Sequence, residues 1–333
     1  MVYVGIDVAK ATIEVAVSNQ GKETALGEFN NNPSGFKSMD KALKPYLKDG
    51  IHLIAEPTGN YHLALIGYAH EKGWSVSLLN PKVIRDWNKG QGQRAKSDPI
   101  DARLLARYGA KEQPTPQQSL PDEVAILEAL LNRKDILEKN LRQELNRLES
   151  FNHLSIQCDP VLDDFNLTIE QIRQSLSNIQ SAIKEHLKQH PHLKELRARL
   201  LQIPGIGDKS VLPILVFLYR WDSHTCSLGT SKGLTAFAGL DPVPHSSGSS
   251  VFKPSLISKM GDSNIRRLLF MCALGGQKAR DSVLIQFYQR LLQRGKPKKV
   301  ALVASARKIL SWAFGVFRSG ASFDPKLASP NFN

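Results

Sequence analysis

Cysteine is scarce in this 333-residue chain, and its three residues (Cys158, Cys226 and Cys272) stand far apart with no C-x-x-C among them. That disfavours both a disulfide framework and a cysteine-based zinc site. Long apolar runs are missing as well. No stretch reaches the roughly 18 residues that a membrane-spanning helix needs, so none is expected. The opening Met1-Val2-Tyr3-Val4-Gly5-Ile6-Asp7 has neither a basic leader nor a cleavage site and does not read as a signal peptide. Acidic residues are outnumbered, 31 against 44 Lys and Arg, which leaves a net charge of +13 and a pI near 9.6. Such an excess favours a polyanionic partner, nucleic acid before a membrane surface. The remainder is enough to fold: 41% of residues are hydrophobic and 23% charged, outside the range of disordered chains. At roughly 150 residues per domain the length suggests about two domains, or three. The expectation is a soluble, basic, cytoplasmic protein of a reducing compartment.

Residues 2–29 read as three strands in a meander. Val2 to Asp7 is a short apolar run, Ile13, Val15 and Val17 alternate with Thr12, Glu14 and Ala16, and Thr24 to Phe29 follows a polar turn. Asn30-Asn31-Asn32-Pro33 breaks the pattern, and Ser34 is a candidate N-cap for a helix to about Leu47. A strand at Ile51–Ala55, a helix over 61–72 and a strand at 74–79 complete a mixed α/β pattern.

Three further stretches differ in character. Pro81 to Arg107 carries seven basic residues (Lys82, Arg85, Lys89, Arg94, Lys96, Arg103, Arg107) against Asp86, Asp98 and Asp101, with Gly90-Gln91-Gly92-Gln93 as a flexible insertion. It reads as a solvated loop or as a phosphate channel beside a metal site. Between about 120 and 190, leucines and isoleucines recur at steps of three and four. This predicts two long amphipathic helices, forming an antiparallel hairpin or an intermolecular coiled coil. From Lys253 to Lys308, 13 basic residues face two acids, a net +11 that marks a nucleic-acid surface. Ahead of it, Pro204-Gly205-Ile206-Gly207 is a tight turn that either punctuates two helices or offers backbone N–H groups to a phosphate.

The carboxylates are the main candidates for chemistry. Asp7 ends one apolar strand and Glu56 another. Asp98 and Asp101 stand three residues apart, on one face of a helix that Pro99 can start. Each alone is explained by a cap or a strand end. Together, four acids converging above one sheet edge would repel unless a divalent cation with oxygen ligands, Mg²⁺ in the first instance, held them. The histidines offer no rival: His186 and His190 have H-x-x-x-H spacing with His192 near, but lack the glutamate of the zinc signature and are expected on a solvated polar face.

Three motifs, Val4-Gly5-Ile6-Asp7-Val8-Ala9-Lys10, Glu56-Pro57-Thr58-Gly59-Asn60-Tyr61 and Lys96-Ser97-Asp98-Pro99-Ile100-Asp101-Ala102, resemble the acidic motifs of the DEDD transposases of bacterial insertion sequences. These are the Piv-like family, also called bridge recombinases. Ala238-Gly239-Leu240-Asp241-Pro242, Ser247-Gly248, Ile257-Ser258-Lys259-Met260-Gly261 with Ile265-Arg266-Arg267, and Phe287 through Lys308 resemble that family's second domain, so the likeness spans nearly the whole chain in order.

The resemblance implies an α/β plus α architecture. A RuvC-like domain with an RNase H fold is expected over residues 1–115, a helical coiled-coil segment over 116–195, and a mainly α-helical C-terminal domain over 196–325. It implies that Asp7, Glu56, Asp98 and Asp101 bind Mg²⁺ (or Mn²⁺), and that a serine in the second domain, Ser247 in register, attaches covalently to a DNA 5′-phosphate. Ser246 and Ser249 remain candidates within the serine-rich stretch, where a flexible polar loop is the plain alternative. The resemblance also implies a structured guide (bridge) RNA pairing with donor and target DNA, in a nucleoid-associated bacterial enzyme. It further implies a homo-oligomer, dimer or tetramer, joined through the helical middle, and leaves open whether one active site combines the acids of one subunit with the serine of another. Lys10, Arg94, Lys96, Lys253, Lys259, Arg266, Arg267 and Lys296 are the candidate backbone contacts to nucleic acid. The rival enzyme reading is a RuvC-like junction resolvase in which water is the nucleophile and Ser247 is structural.

Overall fold

A computed structural model describes residues 1–90, 98–154, 158–247, 251–278 and 282–328, and their side chains apart from 98–100, 244–247, 251–255 and 328. The chain forms two compact units, one of residues 1–119 with 222–229 and one of residues 120–221 with 230–333.

In the first unit β1 (Val2–Val8), β2 (Thr12–Asn19) and β3 (Lys22–Asn30) form the meander read from the sequence. α1 (Pro33–Leu43) follows, then β4 (Ile51–Ala55), α2 (Leu63–Glu71) and β5 (Ser75–Leu78). The strand order is β3-β2-β1-β4-β5, with β1–β2 and β2–β3 antiparallel and β1–β4 and β4–β5 parallel. This is the arrangement of an RNase H-like fold. Alternation along β1 decides the two faces. Val2, Val4, Ile6 and Val8 join Ile13, Val15 and Val17 in a core closed by Phe36, Met39 and Leu43 of α1 and Leu65 and Ala69 of α2. Tyr3, Gly5 and Asp7 point to the other face, which α4 (Asp98–Glu112) covers beside α3 (Pro81–Gly90). The first part of the basic 81–107 segment is therefore helix rather than loop, while residues 91–97, with the glycine-containing insertion's Gln91, Gly92 and Gln93, lie outside the described residues.

Two local readings are corrected. The N-cap of α1 is Asn32, whose Oδ1 accepts from Gly35 N–H at 2.9 Å, and not Ser34. Pro33 is the reason: proline suits the first helical position, and this sets the cap one residue before it. His186 does not lie on a solvated face. It is buried, with Nε2 2.7 Å from the Glu123 carbonyl, because the end of one long helix packs on the start of the other.

Those helices are α5 (Asp122–Asn152) and α6 (Asp159–Gln189), 31 residues each. They pair with each other within the chain: Phe151 and Phe165 meet at the tip, 5.8 Å between ring centroids, and Glu123 and His186 meet at the base. The hairpin's base has no core of its own. Val124, Leu127 and Ile183 share one core with α7 (Pro191–Leu200), α8 (Asp208–His224), α9 (Ser231–Phe237), α10 (Ser263–Gly276), α11 (Val283–Gln293) and α12 (Lys298–Ser319). α12 is long and apolar enough to span a membrane by length and composition, but Ala306, Ile309, Leu310 and Ala313 are buried in that core. Between α9 and α10 lies a two-stranded antiparallel hairpin, β6 (Pro242–Ser247) and β7 (Val251–Ile257).

Candidate active site and nucleic-acid interface

The parallel pairing of β1 with β4 runs from Val2↔Ile51 to Ile6↔Ala55. Asp7 and Glu56 are the next residues, so they leave neighbouring central strands side by side at their carboxyl ends. α4 runs back along β1 from that end. A Cβ on Gly5 would stand 2.1 Å from the Ala102 carbonyl oxygen and 2.3 Å from Ala106 N, and one on Gly109 would meet Ile54 and Tyr3 at 2.7 and 2.9 Å. The helix backbone thus lies directly on the strand, which only glycine at position 5 allows. Ala102 sits over Gly5, Gly109 over Tyr3, and Asp101 in the first turn is carried toward Asp7. α4 begins at Asp98, one residue earlier than Pro99 suggested; Asp98 has its backbone described at this end and its side chain outside the description.

Sequence reasoning alone does not single out three residues in this region. Glu14 stands directly opposite Asp7 across β1–β2, and Glu28 opposite Glu14 across β2–β3, making a row of three carboxylates on the α4 side of the sheet. Like charges directly opposite oppose folding unless countered. The signal was present in the strand register once the meander was assumed. His62, at the end of the Glu56 loop, is buried and its pKa is lowered by burial, partly countered by its bond to the Thr58 carbonyl. No sequence pattern marks it. Among the described residues no three His, Cys, Asp or Glu side chains converge into a group able to hold a metal ion. Asp7, Glu56 and Asp101 at this end of the sheet are all carboxylates, the chemistry of a hard cation of the Mg²⁺ class.

In the second unit Ser247 is the last residue of β6, opposite Val251; residues 248–250 and the Ser246 and Ser247 side chains are outside the description, as is Ser249. The other end of this hairpin is firmly held. Ser258 N–H donates to the Asp241 carbonyl at 2.9 Å, and the Ser258 hydroxyl donates to the Asp241 carboxylate. Gly239 and Gly261 pack backbone against backbone, since a Cβ on Gly261 would lie 1.9 Å from the Phe237 carbonyl. Arg266 bridges this contact from Nη1 to the carbonyls of Ala238 (3.1 Å) and Gly261 (2.6 Å). That part of its guanidinium holds the loops together.

The remaining basic candidates divide. Lys10 is exposed on the β1–β2 turn, Lys259 is exposed with a positive φ of 56°, and Arg267 and Lys296 are exposed. Arg94 and Lys96 lie outside the described residues, and Lys253 is described by backbone only. Burial first, and Arg290 second, lower the pKa of Lys308, whose Nζ sits 5.6 Å from the centre of the Trp312 ring.

Comparison with known proteins agrees with this layout. Residues 4–155 match the transposase family DEDD_Tnp_IS110, and residues 197–289 match the transposase IS116/IS110/IS902 family. The pilin gene-inverting protein of Moraxella bovis is 33% identical over 98% of both chains. The chain belongs to the IS110 family of transposases. The Moraxella lacunata pilin gene-inverting protein is likewise 33% identical over 98% of both chains, and the transposase of insertion element IS1328 from Yersinia enterocolitica is 26% identical over 67% of each. This IS110-family member is a DNA transposase/recombinase, and its first matched region takes in the acid-bearing sheet of the first unit and continues through α5 of the second.

Proposed function

We propose that this transposase is an RNA-guided recombinase of an insertion sequence, with Asp7, Glu56, Asp98 and Asp101 as its metal-binding acids and Ser247 as its nucleophile. The reading is supported above all by the strand register that leaves Asp7 and Glu56 side by side where α4 delivers its first turn. A bound Mg²⁺ or Mn²⁺ would neutralise phosphate charge and lower the pKa of a hydroxyl near it. The Ser247 oxygen then attacks phosphorus while its hydrogen leaves as a proton. The bond to the 3′ oxygen breaks, that oxygen takes up a proton, and a 5′-phosphoserine remains. Rejoining reverses these steps with another strand's 3′ hydroxyl.

Lys10, Lys259, Arg267 and Lys296 would meet phosphates of the donor and target DNA or of the guide RNA, with Arg94, Lys96, Lys253 and the remaining edge of Arg266. A second copy of the chain would join along the α5–α6 hairpin, where Ile136 and Leu145 are 48% and 39% exposed, and the enzyme would work on the bacterial nucleoid.

Covalent trapping tests this reading. The protein, its RNA and labelled junction DNA are incubated with Mg²⁺ and denatured, and protein-linked DNA is sought. The adduct is expected, and is expected to vanish in both Ser247→Ala and Asp7→Ala. An adduct that survives Ser247→Ala moves the nucleophile to Ser246 or Ser249. Cleavage without any adduct replaces the serine mechanism by hydrolysis.

A further inference from the structure

We infer that Asn31 is a positioning residue for the acid-bearing loops: its side-chain amide ties the turn after β1 to the loop after β4 and so holds the spacing of Asp7 and Glu56. The inference rests on the metal-site reading of those two acids.

Asn31 Nδ2 donates to the Ala9 carbonyl at 2.9 Å and to the Tyr61 carbonyl at 3.0 Å. Ala9 is two residues past Asp7, and Tyr61 is five past Glu56. Both partners can only accept, so the amide nitrogen is identified by its contacts, and both of its hydrogens are used. Oδ1 is buried with no hydrogen-bond partner. A residue kept only to fill space would not bury a lone acceptor. The tie matters because Ile6↔Ala55 is the last backbone pair joining β1 to β4. Beyond it the backbone of the first loop closes through Ala9 N–H to Thr12 O at 2.9 Å and meets Asn31 N–H at Ala11 O, and that of the second closes through Tyr61 N–H to Thr58 O at 3.0 Å.

The amide is itself anchored. Asn30 closes the β2–β3 ladder against Thr12, Asn31 N–H donates to Ala11 O at 2.8 Å, and the next residue caps α1. Gly35 of that helix lies so close that a Cβ would be 1.9 Å from the Asn30 carbonyl oxygen. The strand end and the helix start together hold Asn31 in place, and from there one side chain sets the gap between two loops.

The test uses the full-length protein with Asn31→Leu, of similar volume but without donors, and Asn31→Ala. Hydrogen exchange is expected to speed up in both segments, 9–11 and 58–62, and not in β1. The Mg²⁺ concentration giving half-maximal cleavage of junction DNA is expected to rise by about tenfold or more, the scale for outer-shell changes at metal sites. The rate at saturating Mg²⁺ is expected to recover most of its wild-type value. A lowered rate with an unmoved Mg²⁺ midpoint would make Asn31 merely structural and overturn the inference. So would loosening of only one segment, or of neither. Asp7→Asn is measured in parallel. Wild-type cleavage that needs no divalent cation, or that survives Asp7→Asn, would sink the metal reading itself, and the exchange data would still decide whether Asn31 joins the loops.

Discussion

Arg107 on α4 grips Glu23 on β3 through two parallel hydrogen bonds, Nε to Oε1 at 2.6 Å and Nη2 to Oε2 at 2.7 Å. The pair crosses from the helix to the outer strand of the meander and holds α4 on the sheet one turn and a half beyond Asp101. Paired charges at fork geometry are the stronger kind of polar contact, and these two side chains are less than a third exposed.

Glu23→Gln is expected to destabilise the protein by about 1 kcal/mol at neutral pH. The hydrogen bond from Arg107 lowers the Glu23 pKa from its ordinary 4.5, against the opposing effect of burial. The contribution is therefore complete above the ordinary carboxylate range and disappears as pH falls through the lowered value. Thermal melts of wild type and variant should differ at pH 7 and converge in strong acid.

Gly5→Ala tests the helix–strand contact. The added methyl would lie 2.1 Å from the Ala102 carbonyl oxygen, so α4 must move. A loss of about 2–3 kcal/mol is expected in urea unfolding, with cleavage falling further than stability explains because Asp101, a metal ligand in the proposed reading, moves with the helix.

His52 gives the fold an acid limb. It is 3% exposed, stacks near Tyr3, and has Nε2 2.8 Å from Ser77 Oγ, while the Ser77 hydroxyl donates to the Thr115 carbonyl. Ser77 has one proton and gives it to Thr115, so Nε2 carries the hydrogen toward Ser77. Burial lowers the His52 pKa from 6.5 to about 4. The unfolded chain takes up a proton below pH 6.5 while the folded one resists until about pH 4, so stability falls with falling pH across that window, by roughly 3 kcal/mol. His52→Gln should flatten this limb in unfolding free energies measured from pH 7 to pH 4.

Cys272 is buried and its thiol pKa is raised chiefly by that burial, whereas Cys158 and Cys226 are partly exposed. Titration with a thiol reagent should modify Cys158 and Cys226 in the native protein and reach Cys272 only after denaturant is added.

The strands of the first unit and the two long helices were legible as periodicity, because alternation and three-to-four spacing are local properties of the chain. The motif acids, and Gly239 and Gly261 within their motifs, were legible as residue types at fixed spacing. Tertiary structure decided what those residues meet. Glu23 and Arg107 are separated by 84 positions, and nothing local to either predicts the other. Glu14 became a neighbour of Asp7 only through strand register, and His186 became buried only through the helix it packs on. Asn31 read as one of three asparagines in a breaker, and only the folded chain places two carbonyls from separate loops within reach of its amide. Covalent spacing writes secondary structure into sequence, whereas contacts between distant segments depend on how whole elements pack, and that is settled by the complete core.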